Sequence, residues 1–357
     1  MRNTLLGMAV ALCATGCGSS YELGSGVGDP GGVPAGVTDP GATGATGTTG
    51  ANGTGGGGAG VLTAGIWDDN LNYSFFHPYE TSKAGIAGDP GFTAADYDAA
   101  HAEVAQRAPH TVIDAALVID TTGSMGDEIA YLTAEFSNIS GAISAAFPGA
   151  DQRWALVTYR DTPDHDPGDE YVVRTFNFTG NLPSFSATIG QQSAGGGGDT
   201  PESPELGLEA LPQLSWRSGP SVAKLAFWVG DAPHHDDRGP AMKKAIADVH
   251  AAGIHIYPVS ASGTDDLLEF TMRSAAQLTG GRYMFLTDDS GVGDTHKTPE
   301  IPCYYVTKLQ QAIVRAVSAE LTGVYAGPDA AQIIRTVGSP TSSGQCLTAD
   351  NQTVQIY

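Results

Sequence analysis

From residue 111 onward, apolar runs of strand length alternate with stretches whose apolar residues recur at steps of three and four. The run at 115–119 stops abruptly at Asp120. After it, Ile129, Leu132, Phe136, Ile139 and Ile143 fall on one face of a helix. Further strand-like runs lie at 154–159, 172–178, 225–229, 254–259 and 283–286, the second of them suited to an edge or an antiparallel hairpin. The intervening patterns predict helices over 185–192, 200–214 with Pro201 in its first turn, 242–249 and 267–278. Leu309, Ile313, Val317 and Leu321 mark a closing helix. Such alternation predicts an α/β fold: a doubly wound, mainly parallel sheet with helices on both faces.

The flanks read differently. Residues 18–60 are Gly, Thr, Ala, Pro and Asp with few large apolar side chains, so they cannot bury enough surface to offset their conformational entropy. They are expected to form a disordered, Gly-rich linker. Residues 61–110 regain Trp and aromatic anchors and are expected to pack on the main domain as an extension, with a helix beginning after the cap Thr93. The main domain is bounded at 111–322, and 323–357 form a C-terminal tail.

Composition narrows the partners. A net charge of −22 and a pI near 4.5 make nucleic acid and anionic membrane surfaces unsuitable. Residues 1–17 carry one basic residue and then an apolar stretch too short to span a bilayer, as a secretory signal does. The small residues Ala14, Thr15 and Gly16 before Cys17 resemble the lipobox of bacterial lipoproteins, although Ala14 stands where that pattern has leucine. The resemblance implies a lipid-anchored or secreted protein of the bacterial cell envelope, with Cys17 lipidated. Only Cys303 and Cys346 then remain in the body of the chain, and in an oxidising compartment a disulfide between them is expected.

In an open α/β sheet, ligands bind beyond the carboxyl ends of the strands. Those ends bring Asp120, Thr122 and Ser124, then Arg160 and Asp161, then Asp231, Ser260 and Ser262, and finally Asp288 and Asp289. A glycine run at 195–198 leads into Asp199 and Thr200. Carboxylates and hydroxyls gathered at one sheet edge suit a hard, oxygen-seeking cation.

These residues resemble the von Willebrand factor A domain with its metal-ion-dependent adhesion site. Asp120, Thr122 and Ser124 match the D-x-[S/T]-x-S motif, residues 195–202 (GGGGDTPE) match the second loop, and Val229-Gly230-Asp231 the third. The resemblance covers roughly residues 111–322. It implies Mg²⁺, with Mn²⁺ or Ca²⁺ as alternatives, held by Asp120, Thr122, Ser124, Thr200 or Asp199, and Asp231. It further implies a protein ligand that offers a Glu or Asp carboxylate to the cation, for adhesion or assembly and without catalysis. The alternatives are a metal-dependent hydrolase on the same acidic rim, with Asp161 or a rim histidine as base, and a structural surface protein.

Other features have plainer readings. Asp68, Asn70 and Asn72 begin like a calcium loop, but Tyr73 stands where such a loop needs glycine. His234, His235, Asp236 and Asp237 contain zinc-ligand types, yet four adjacent residues seldom close a tetrahedron, which favours a solvated loop. Arg160 with Asp161 reads as a local ion pair. Asp288, Asp289 and Asp294 fit either a calcium site or a polar loop.

Overall fold

The computed structural model describes residues 58–104, 109–198 and 200–356. The expected signal, Cys17, the linker up to residue 57, and Asp199 lie outside the described residues. Along the chain come β1 (Thr63–Trp67), α1 (Tyr73–Lys83), α2 (Ala94–Val104), β2 (Val112–Asp120), α3 (Gly126–Ala146), β3 (Gln152–Tyr159), β4 (Val173–Thr179) and α4 (Leu182–Ile189). Then follow α5 (Pro204–Ala210), β5 (Val222–Gly230), α6 (Gly239–Ala251), β6 (His255–Ser260), α7 (Asp266–Thr279), β7 (Tyr283–Leu286), β8 (Tyr304–Lys308) and α8 (Leu309–Thr322). The tail adds β9 (Arg335–Val337), β10 (Gln345–Leu347) and β11 (Thr353–Gln355). Among the described residues no helix is long and apolar enough to cross a membrane.

The nine-stranded sheet has the order β4-β3-β2-β5-β6-β7-β1-β8-β9. From β3 to β7 it is parallel, and β4 pairs antiparallel at one edge. The period-two pattern explains the double-sided core. In β2, Ala116 and Val118 face one hydrophobic layer with Trp228 and Ile256, while Ala115 and Ile119 face the other with Leu225 and Val259. Helices α3 and α8 cover the second layer. On the first, α5, α6 and α7 pack side by side, and α7 is buried over almost its whole length. Asp265 caps α7 by accepting from the Leu268 N–H at 2.7 Å, and Gly280 ends it with a left-handed φ of 71°.

Three parts depart from expectation. Residues 61–110 do more than pack on the main domain: β1 is inserted into the sheet, antiparallel to both β7 and β8. Asp69 in the following turn is then anchored by Arg273 of α7, at 2.7 and 3.0 Å. Thr93 does cap α2, exchanging hydrogen bonds with Asp96. The tail likewise contributes β9 to the sheet, and Cys303 is bonded to Cys346, with Cα atoms 6.5 Å apart. The helix expected from residue 200 starts only at Pro204, behind Ser203, so neither Thr200 nor Pro201 lies in its first turn.

Candidate metal site

The register of the sheet places the site. Asp120 ends β2 opposite Tyr159, and Ile119 lies opposite Val229, so the turns after β2 and β5 emerge side by side. Asp120 is fully buried, and its Oδ1 accepts from the Thr122 N–H at 2.9 Å and the Thr122 hydroxyl at 2.7 Å. Thr122 Oγ1 lies 3.4 Å from Ser124 Oγ, and the Ser124 hydroxyl hydrogen-bonds to Asp231. The two adjacent turns therefore bring together four of the expected ligands, Asp120, Thr122, Ser124 and Asp231.

The second loop is fastened onto the first by its backbone. The Gly123 N–H donates to the Gly196 carbonyl, and the Gly195 N–H to that of Thr121, both at 3.0 Å. Gly197 has a φ of 78°, and a Cβ there would come within 2.6 Å of Thr122 Cβ. Only glycine brings this backbone so close in that conformation. The same position borders the carboxylate of Glu202, a buried residue that was not singled out from the sequence. Its signal was present, two residues beyond Thr200, but a glutamate after a proline reads as an ordinary helix start.

Thr200 itself is exposed and lines a neighbouring groove with Ile86, Pro233, Asp236 and Thr264. Among the described residues it makes no hydrogen bond to Asp120, Thr122, Ser124 or Asp231.

The electrostatics are those of anions crowded out of water. Burial, then the charge of Asp231, pushes the Asp120 carboxyl well above its ordinary range, and burial raises Asp231 too. Glu202 is pushed up to about 10, by burial first and then by Asp120, Asp161, Asp169 and Asp231. Among the described residues, Asp120 Oδ2, Asp231 Oδ1 and Glu202 Oε2 are buried oxygens without hydrogen-bond partners. Unsatisfied buried oxygens of this kind are costly. A divalent cation would satisfy them and invert the local pKa logic, so the donor set fits a hard metal ion.

Several single features resolve differently from their sequence reading. Arg160 does not pair with Asp161. It reaches Asp169 at 3.6 Å and donates to the carbonyls of Thr121 and Ser193, because the β3 turn sends the two neighbours in opposite directions. Asp161 instead accepts from the Ser203 hydroxyl at 2.8 Å and the Thr162 N–H at 2.7 Å, and meets His235 Nε2 at 2.9 Å. Residues 234 and 235 are not a solvated loop: both histidines are buried, and His234 Nε2 lies 2.7 Å from the Gly88 carbonyl. They part in direction because Glu202 and His234 form a parallel bridge between the two loops.

The two acidic loops have structural partners. Asp288 pairs with His296 and Asp289 with Arg335. Asp68 pairs with Arg282, and Asn70 and Asn72 bond to Gln277 and Gln355.

Residues 115–288 match the family model described as von Willebrand factor A domain. An alpha-protein kinase, vwkA, from Dictyostelium discoideum is 21% identical over 194 residues, which are 50% of this chain and 30% of that protein. The chain thus spans under a third of that relative. Among solved structures, the pilus adhesin SpaC from Lactobacillus rhamnosus GG is 13% identical with a TM-score of 0.35, over 48% of this chain and 28% of that one. The conserved hypothetical protein BatB from Bacteroides thetaiotaomicron is 12% identical with a TM-score of 0.36, over 58% and 98%. Over residues 115–288, just under half of its length, this chain is thus similar to the von Willebrand factor A domain.

Proposed function

We propose that the domain binds a protein ligand through a divalent cation, with Mg²⁺ as the first choice, and serves adhesion or assembly without catalysis. One observation carries this reading. Asp120, Thr122, Ser124 and Asp231 converge beyond the strand ends, with carboxylate oxygens that are buried and unpartnered. Asp120, Ser124, Thr122 and Asp231 would hold the ion, joined by Glu202 from the second loop. When bound, the ion would act as a Lewis acid toward an incoming oxygen, and a ligand's Glu or Asp carboxylate supplies one. The chain's own residues hold that place open. Thr122 fixes the Asp120 carboxylate through two hydrogen bonds, and Gly197 keeps the second loop close without filling the space.

Asp161, which with a rim histidine is one of the two bases a hydrolase reading offers, is engaged at Oδ1 by Ser203, Thr162 and His235. A binding role is the simpler use of the rim. The amino-terminal sequence pattern ending at Cys17 supports a place in the bacterial cell envelope.

The test is capture from an envelope extract on immobilised wild type and Asp120→Ala, with elution by EDTA. A ligand retained by wild type, released by EDTA and not retained by the variant is the expected result. Capture that is equal on both and indifferent to EDTA contradicts it.

A further inference from the structure

The loops behind the carboxylate rim hold a second constellation of a different chemical kind. Asp161, His165 and His235 each offer one ligand atom, and these atoms lie within 4.8 Å of one another. They come from separate places: Asp161 from the end of β3, His165 from the turn after it, and His235 from the segment following Asp231. Asp161 and His235 are buried, while His165 is exposed. Among the described residues, Asp161 Oδ1 has three partners, but Oδ2 is buried with none. Beside it, the Glu205 carboxyl is buried, both its oxygens are unpartnered, and it interacts repulsively with Asp161. Arg238 attracts the Glu205 carboxyl more than Asp161 repels it, so the observation that points to a cation is the buried Asp161 Oδ2, unpartnered among the described residues and beside two imidazoles.

We infer that Asp161, His165 and His235 form a transition-metal site, Zn²⁺ being the ion it fits best, separate from the oxygen-only site at Asp120. Two imidazoles and a carboxylate are the ligand types of zinc sites with three protein ligands, which keep a fourth position for water. Mg²⁺ prefers an all-oxygen octahedron and has little use for imidazole, so the two sites select different ions from the same medium. The geometry needs little adjustment. His235 Nε2 and Asp161 Oδ1 are 2.9 Å apart, and the edge of a tetrahedron with ordinary Zn–N and Zn–O bonds is about 3.3 Å. Zn²⁺ would take the place of this hydrogen bond, His235 binding it through Nε2 with its remaining N–H on Nδ1 and any displaced proton leaving to solvent. His165 stacks on His235 with ring centroids 3.6 Å apart and planes at 20°. Two imidazoles on one tetrahedral ion have centroids about 5 Å apart, so the exposed His165 ring swings outward while the buried pair stays in place. The two sites meet at Glu202, which feels the charges of both Asp120 and Asp161.

The test uses the full chain, stripped with chelator, saturated with Mg²⁺ and titrated calorimetrically with Zn²⁺. Co²⁺ serves as a second probe, read by its visible absorption. Wild type is expected to take up one Zn²⁺ at saturating Mg²⁺, and His165→Ala to weaken that step by about tenfold or more. His165 is exposed, so this variant keeps its fold, which far-UV circular dichroism checks. Asp120→Ala is expected to retain the Zn²⁺ step. The inference is overturned if wild type takes up no Zn²⁺, or if His165→Ala binds it as wild type does. Loss of the Zn²⁺ step in a folded Asp120→Ala also overturns it, because Zn²⁺ would then occupy the oxygen site. Failure of the Mg²⁺ reading alone leaves the Zn²⁺ step of wild type and its His165 dependence in place, so the two readings fail separately.

Discussion

Replacing Arg273 with Met isolates what joins the amino-terminal segment to the domain. The Arg273 guanidinium is fully buried, with Nε and Nη2 3.0 and 2.7 Å from the two Asp69 oxygens. Its Nη1 lies 3.3 Å from both Glu269 Oε1 and the Glu300 carbonyl, and the plane sits 3.7 Å over the Tyr79 ring. Burial raises the Asp69 pKa even with this cation beside it, so desolvation offsets much of the attraction. The net worth of the pair is therefore small, whereas the cost of breaking it is large. Met fills most of the volume but leaves Asp69, among the described residues, with only the Trp67 indole N–H at 2.9 Å. Glu269 keeps the Glu300 N–H and Lys297. Removing one partner of a buried pair costs about 3–5 kcal/mol, and we expect Arg273→Met to lose that much in urea denaturation at pH 7. Adding Asp69→Asn removes the stranded charge and is expected to recover most of the loss. A single variant within about 1 kcal/mol of wild type, a change typical of sites outside such networks, would refute the reasoning. So would a double variant no more stable than the single.

Three further outcomes follow from the same structure. Gly197→Ala places a Cβ at a φ of 78° and 2.6 Å from Thr122 Cβ. The left-handed backbone costs about 1–2 kcal/mol and the overlap about 1–3 kcal/mol, readable in urea, together with weaker Mg²⁺ binding by calorimetry. Replacing Cys303 and Cys346 with Ala opens a link across 43 residues, which chain entropy values at about 4 kcal/mol; thermal unfolding checks it. Asp114 is fully buried; burial raises its pKa, but Arg153 and Arg217 outweigh this and hold it below the usual carboxylate range. Its contribution is thus present above the unfolded value near 3.9 and lost as pH falls through the lower folded value. Asp114→Asn should flatten the loss of stability between about pH 4 and 2, measured by urea titrations at each pH.

The parallel core was legible because each of β2, β3, β5, β6 and β7 is an apolar run closed by a polar turn. The non-local additions were not. β1 (TAGIW) reads as a strand followed by a turn, but its place between β7 and β8 depends on pairings more than two hundred residues away. β8 (YYVTK) mixes Tyr, Thr and Lys, and no local period distinguishes it from a loop. The same division holds at the site. Asp120, Thr122, Ser124 and Asp231 stand at strand ends, where position alone marks them. Glu202 and the Asp161–His165–His235 group are assembled by loop packing, which residue spacing does not encode. His234 and His235 look like one motif, yet they point to Gly88 and Asp161.

The central claim is that the buried carboxylates around Asp120 exist to hold a divalent cation. Calorimetric titration of the chelator-stripped protein with Mg²⁺ tests it most directly, with wild type and Asp120→Ala compared under identical conditions. One Mg²⁺ bound per chain by wild type, with no measurable heat in a folded Asp120→Ala, is the predicted result. Equal Mg²⁺ binding by the two proteins, or none by wild type, would contradict it.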